Sequence, residues 1–418
     1  MISKQLIFFG LFVLVVEYYS FVAVRTVLRP VNGSLHWWLF SLYAILTLVT
    51  LLSLYAFPHY GKSSWPSVSF KYFVNIFIGV FIGKVLIAVI MLLADVLLAI
   101  PNLLSFLFSF KNHPVGSPPE GSRLIGRFTF ISQTALLIGG ALTAGLVYGM
   151  RNRYRYNLTR VKLSLKDLPD EFKGLRIIQI SDIHSGSFDD PGAVAEGVEA
   201  IMREKPDLIL FTGDLVNDRA EEVVPYLKVF NQLNAPLGVF SVLGNHDYGD
   251  YFRWSSKEEK KQNLGQLKQH HAALGWRLLV NEHVLLERNK QQIALIGIEN
   301  WGARGFTKYG DMKKAVAGLE NADVPLKILL SHDPSHWDAE VRKDYRDIAL
   351  TLSGHTHGMQ FGIDIPGFKW SPVQYVYKNW AGLYREDNQY LYVNRGFGFI
   401  GYQGRLGVLP EITMIELA

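Results

Sequence analysis

Cysteine is absent from all 418 residues, which excludes disulfides, thiolate metal sites and cysteine nucleophiles. Charge is scarce as well: 19% of the residues are charged and 49% hydrophobic, an apolar balance for a soluble chain. The scarcity is local. Residues 1–150 hold nine Lys and Arg and three Asp and Glu, whereas the other 268 hold 33 and 34. The formal net charge of +5 therefore resides in the apolar part. The nearly neutral remainder lacks the basic surface that nucleic acid requires, so no nucleic-acid partner is expected.

Long apolar runs fill residues 1–150. A helix rises about 1.5 Å per residue, so about 20 apolar residues cross a hydrocarbon core. Stretches near 5–24, 37–57, 70–100 and 124–149 reach that length and predict four transmembrane helices. Lys4 flanks the first like a secretory signal, yet no small-residue cleavage site follows, so it reads as an uncleaved span. Trp37, Trp38, Tyr55, Tyr60 and Trp65 bracket the second, at the depth amphipathic rings prefer. Residues 102–110 are apolar but too short to span, which predicts an interfacial or buried turn of helix. Glu17, Lys84 and Asp95 lie within the spans. Charges at that depth find partners or serve a function; Lys84 and Asp95 share nearly one helix face, and pairing inside the bundle is the plainer reading, a ligand or ion path the sharper one. Gly79 and Gly83 suit close helix packing. Basic residues beside the spans number eight on the N-terminal side (Lys4, Lys62, Lys71, Arg151, Arg153, Arg155, Arg160, Lys162) and five on the other (Arg25, Arg29, Lys111, Arg123, Arg127). This predicts a multi-pass protein of the cell membrane with its C-terminal part in the cytoplasm.

Residues 151–174 read as a basic juxtamembrane linker and first strand, and residues 175–418 as one α/β domain. Short β-branched runs at 175–180, 208–211, 239–243, 293–296, 328–330 and 348–352 predict buried strands, and 193–204, 221–233 and 257–274 predict amphipathic helices. Such alternation implies a sheet covered by helices.

Five of these runs lead into polar clusters: Ser181-Asp182-Ile183-His184, Gly213-Asp214, Gly244-Asn245-His246-Asp247, Ser331-His332-Asp333 and Gly354-His355-Thr356-His357. Ligands of α/β sheets bind beyond the carboxyl ends of strands, so the clusters should converge on one rim. Their Asp, Asn and His donors suit a metal site of nitrogen and oxygen ligands. In an extended segment Asp182 and His184 project to one side, as do His355 and His357. Glycines at 213, 244 and 354 permit close approach to an ion. A Ser331-His332-Asp333 triad is rejected, because adjacent strand residues point apart and no Gly-x-Ser-x-Gly elbow exists. His271 fits an apolar helix stripe, His270 and His283 read as surface or supporting groups, and His336 is a modest candidate beside His332.

With these clusters, residues 175–418 resemble the calcineurin-like metallophosphoesterase superfamily, most closely its membrane-associated bacterial branch that includes enzymes resembling UDP-2,3-diacylglucosamine pyrophosphohydrolases. The ending from Arg395-Gly396-Phe397-Gly398 to Pro410-Glu411 shares the likeness, and Met359, where a second glycine is expected, departs from it. The resemblance implies a four-layer αββα sandwich behind the four-helix bundle and two divalent metal ions, Mn2+ first, Fe or Zn as alternatives. It implies Asp182, His184 and His357 on one ion, Asn245, His332 and His355 on the other, and Asp214 as the bridge. His246 would contact the scissile phosphate and Asp247 would orient it. Paired ions polarise a phosphoryl oxygen and stabilise charge during in-line attack, a carboxylate bridge serves both, and an amide adds an oxygen without charge. His246 suits protonation of the leaving oxygen or stabilisation of the transition-state charge, with Asp247 fixing its ring.

The expected function is hydrolysis of a phosphoester or pyrophosphate bond, in a lipid-linked or glycolipid substrate such as UDP-2,3-diacylglucosamine, whose effective concentration a membrane anchor raises. Aromatic segments at 248–254 and 368–384, the latter with Trp370, Tyr375, Tyr377 and Trp380 among Lys369, Lys378 and Arg385, read as packing or as a lip for acyl chains. Alternative readings are a transporter or membrane sensor with a regulatory phosphoesterase domain, and an inactive binding module; the intact donor set opposes the last.

Overall fold

Among the described residues four helices are long and apolar enough to cross a membrane: α1 (Lys4–Leu28), α2 (Ser34–Tyr60), α3 (Val68–Phe108) and α4 (Ser122–Gly149). The computed structural model describes residues 4–60, 67–108, 122–319 and 324–418 and divides into two units, Met1–Tyr148 and Gly149–Ala418. Residues 102–108 form no separate turn. They extend α3 to 41 residues, since the Leu-rich tail is a strong helix former and Pro101 removes only one donor. Residues 109–110, Lys62, Trp65, Lys111 and the side chains of Tyr60 and Arg123 lie outside the described residues.

Inside the helical unit, Lys84 pairs with Glu17 of α1 and not with Asp95. Its Nζ donates to both Glu17 carboxylate oxygens, at 3.0 and 2.8 Å, and to Thr47 Oγ1 at 2.8 Å, while Asp95 meets the Tyr19 hydroxyl. Residues 84 and 95 are about 16 Å apart along the axis at 1.5 Å per residue, too far for one side chain to bridge. Gly83 lets α3 and α4 touch: a Cβ there would lie 2.7 Å from the Gly139 carbonyl oxygen.

The second unit holds two six-stranded sheets. The first runs in the order β1 (Asn157–Leu163), β14 (Glu411–Leu417), β2 (Arg176–Ile180), β3 (Leu208–Phe211), β4 (Val239–Ser241), β5 (Arg277–Leu278). The second runs β12 (Gly382–Glu386), β13 (Gln389–Val393), β9 (Ile348–Ser353), β8 (Lys327–Leu330), β7 (Gln291–Gly297), β6 (Glu282–Arg288). A hairpin, β10 (Ile363–Ile365) and β11 (Phe368–Trp370), stands apart from both.

Side chains alternate across a strand, and the central strands are apolar on both faces. Ile177, Leu208 and Leu210 of the first sheet pack with Leu295, Ile328 and Leu350 of the second, forming the layer between the sheets. Ile178, Ile209 and Phe211 face outward onto Val194, Val198 and Ile201 of helix Pro191–Arg203. Ile296 and Leu329 face the other way, onto Met312 and Trp337. Helix, sheet, sheet and helix make four layers. The helix expected at 221–233 is a 3-10 segment, Ala220–Tyr226, followed by the short helix Leu227–Phe230, because Pro225 interrupts the α-helical ladder.

Removing one partner of the buried Glu17–Lys84 pair strands a charge among helices. Lys84→Met is expected to destabilise the helical unit by about 3 kcal/mol, and Glu17→Gln added to it to restore much of the loss, measured by thermal unfolding in detergent.

Candidate metal centre

β2, β3, β4, β8 and β9 end at one rim, and the five polar clusters occupy the loops that leave it. Asp182, His184 and His357 bring one ligand atom each within 4.8 Å of one another, as do Asp214, His332 and His355. Each group is able to hold a metal ion. They meet at Asp214, whose Oδ2 lies 3.1 Å from His332 Nε2 and 3.5 Å from His184 Nε2. Asn245 joins the second group, its Oδ1 2.8 Å from His355 Nδ1 and 3.2 Å from His332 Nε2. Its amide nitrogen donates to Tyr251 Oη at 2.9 Å, which turns the oxygen toward those imidazoles.

The donor chemistry fits divalent cations. Both ring nitrogens of His184 and Nε2 of His357 are buried without a hydrogen-bond partner among the described residues, and His355 Nδ1 points at His332 Nε2 from 3.3 Å. Convergent lone pairs of this kind are costly without an electropositive partner. Burial lowers His184 to about 3 and His355 to about 4, keeping both neutral as ligation requires. His332 and Asp214 behave otherwise. Burial opposes charge on each, yet their mutual attraction raises His332 to about 10 and holds Asp214 well below the carboxylate range. His332 donates through Nδ1 to the Thr212 carbonyl at 2.7 Å, leaving Nε2 for the site.

The backbone is left-handed where the donors emerge. Asp182, His184, Asp214, His355 and His357 all have φ between +49° and +71°. The segments are therefore not extended, so the same-side projection expected of an extended strand does not apply here, and His355 and His357 fall in different groups. Non-glycine residues tolerate this conformation at functional sites when the surroundings enforce it. Gly354 is part of that enforcement, since a Cβ there would lie 2.7 Å from the Ser181 Cβ.

Asp247 does not orient His246. Its carboxylate accepts from the backbone amides of Asp214, Leu215, Val216 and Gly244 at 2.8–3.2 Å, clamping two of the loops together, because neighbouring residues in this turn point apart. His246 is held through Nδ1 by the Asn217 carbonyl at 2.7 Å, with its ring centroid 4.9 Å from that of His184.

His271 is buried against Ser241 Oγ at 2.9 Å, and His336 is tied to Ser331 Oγ at 2.9 Å and Glu340 at 3.2 Å, so neither belongs to the groups. Two supporting residues escaped the sequence reading. Tyr377 Oη lies 2.8 Å from His355 Nε2, and the fully buried Arg405 donates to the carbonyls of His357, Arg395, Gly396 and Gly398, stitching the last loop to the rim. A buried arginine carries no sequence signature of its own.

Residues 175–359 match the calcineurin-like phosphoesterase family, and residues 3–153 match the probable calcineurin-like phosphoesterase transmembrane domain. The chain therefore carries a calcineurin-like metallophosphoesterase domain preceded by a four-helix membrane domain. It is 30% identical over 292 residues to a transmembrane protein with metallophosphoesterase domain of Danio rerio, covering 68% of this chain and 62% of that protein, less than two thirds of its length. The metallophosphoesterase YkuE of Bacillus subtilis is 29% identical, with 67% and 93% covered. The UDP-2,3-diacylglucosamine pyrophosphatase LpxG of Chlamydia trachomatis is 29% identical, with 69% and 98% covered.

Two predictions follow from the geometry. After equilibration with Mn2+ and desalting, the full chain should retain two ions by mass spectrometry of the metal, His184→Ala and His332→Ala one or fewer, and His271→Ala two. Met359, exposed at φ +55°, should accept glycine with a gain of about 1 kcal/mol in denaturant unfolding.

Proposed function

We propose that the chain is a membrane-anchored dinuclear phosphohydrolase that cleaves a phosphoester or pyrophosphate bond in a lipid-linked substrate. The observation that carries this reading is the meeting of two imidazole and carboxylate groups at Asp214. Asp182, His184 and His357 would hold one ion, Asn245, His332 and His355 the other, with Asp214 between them. Ions bound there, Mn2+ first among the candidates, would polarise the phosphoryl oxygens and activate the attacking water.

The chain's own residues supply the remainder. His246, held through Nδ1 by a carbonyl, keeps Nε2 for the phosphoryl or leaving oxygen, where it stabilises charge or delivers a proton. Asp247 keeps the loops of Asp214 and Asn245 in register. Tyr377 and Thr212 fix the imidazole planes of His355 and His332.

A lipid-borne phosphate is favoured because four spanning helices confine the domain to a membrane surface and raise the effective concentration of anything dissolved in it. The similarity to LpxG supports a nucleotide-linked glycolipid such as UDP-2,3-diacylglucosamine, and the basic flanks favour a cytoplasmic site. The test is a screen of phosphate monoesters, diesters and nucleotide-linked glycolipids by the purified chain with Mn2+. Turnover is expected on at least one class, with a loss of about 100-fold or more in Asn245→Ala. Equal turnover by Asn245→Ala and the parent, or none on any class, overturns the proposal.

A further inference from the structure

β10 and β11 turn at Pro366 and Gly367, the latter at φ +82°, with Ile363 opposite Trp370 and Ile365 opposite Phe368. Residues two apart and their cross-strand partners share a face, so these four form an apolar face and Asp364 and Lys369 the other. A small sheet in water turns its apolar face to a core. This one is inverted. Asp364 turns inward, 2.6 Å from Arg395, which also pairs with Glu411 at 2.7 Å, whereas Ile363, Ile365 and Phe368 are 44%, 56% and 53% exposed.

The exposure is concentrated there. Nine large apolar side chains are exposed among the described residues of the α/β unit, and seven fall between Met359 and Leu383. The expected aromatic lip is corrected by the same observation: Tyr377 and Trp380 are buried, and aliphatic residues supply much of the surface. A clustered apolar surface marks an interaction site.

Charge and chain length identify the partner. Asp364 is the one acidic residue of segment 359–383 and is withdrawn to Arg395, whereas the Lys378 side chain is 72% exposed, its Nζ 4.0 Å from Glu386 beyond the segment. An apolar surface whose segment carries Lys369 and Lys378 against a single withdrawn carboxylate settles at the boundary of a bilayer that bears anionic lipid. Seven residues, 150–156, separate the end of α4 from the start of β1, a contour of at most ~25 Å, so a membrane is within reach. Met359 follows His357 by two residues, and Ser371 Oγ donates to the Gly358 carbonyl at 2.9 Å, joining the surface to the loop of the metal centre.

We propose that the β10–β11 hairpin, with Tyr375 and Val376, docks on a leaflet containing anionic phospholipid, placing Ile365 and Phe368 at the boundary between headgroups and acyl chains. Docking presents the metal centre to lipid-borne phosphate, and that consequence alone rests on the phosphohydrolase reading.

The lack of cysteine makes a single label unambiguous. Full-length Ile365→Cys and Phe368→Cys carry an environment-sensitive nitrobenzoxadiazole dye in vesicles of phosphatidylcholine and phosphatidylglycerol. Val224→Cys and Leu285→Cys, the exposed apolar positions elsewhere in the unit, are the references. Lipids with a nitroxide near the headgroup should cut emission about twofold at 365 and 368 and leave 224 and 285 unchanged. Quenching at 365 and 368 no greater than at the references overturns the proposal. So does blue-shifted emission there that lipid does not quench, the signature of a second copy covering the face. In Ile365→Ser/Phe368→Ser, a label at Tyr375→Cys should lose its quenching; retained quenching equally counts against docking by this face. None of these readouts is enzymatic, so an undocked chain that still cleaves bis(p-nitrophenyl) phosphate removes this inference and leaves the hydrolase reading standing.

Discussion

The carboxylate of Asp214, fully enclosed and facing imidazoles from two sides, is the constraint around which the α/β unit is arranged. Several neutral imidazoles and two carboxylates in one buried rim are unfavourable in an empty site, because ring nitrogens such as those of His184 have given up water without gaining a donor. The surrounding fold enforces the arrangement nonetheless. Asp247 binds four backbone amides across two loops, Arg405 gathers three carbonyls of the last loop and that of His357, and five donors sit in a left-handed backbone. Two sheets with a dry layer between them provide the rigidity that such strain requires.

The same economy of charge governs the helical unit. Glu17 and Lys84 neutralise each other in a region where either alone would be costly, and Thr47 takes a remaining donor of the ammonium. This ion pair links α1 to α3 and accounts for two of the three charges within the spans. The connection after α4 is short, seven residues lying between its last position and the start of β1.

Pairing of charge also accounts for the inverted hairpin. Arg395 and Glu411 are nearly or fully buried and require compensation, and Asp364 supplies part of it. Once β10 commits Asp364 inward, the period of two along a strand sends Ile363 and Ile365 outward. One buried ion network thus supports the rim of the metal centre and creates the exposed apolar face beside it.

Sequence alone determined the elements whose signal is local. Four apolar runs specified four helices, because hydrocarbon demands about 20 uninterrupted residues. Short β-branched runs ending in Asp, Asn and His specified the strands and brought those side chains to one rim, because strand ends in α/β sheets converge there. Tertiary structure decided every matter of partnership. Lys84 met Glu17 from another helix, Asp247 turned from its neighbour to four amides, and Tyr377 and Arg405 entered from loops with no motif. Most of these partners lie ten or more positions apart, and their geometry depends on backbone torsions that only the packed loops impose.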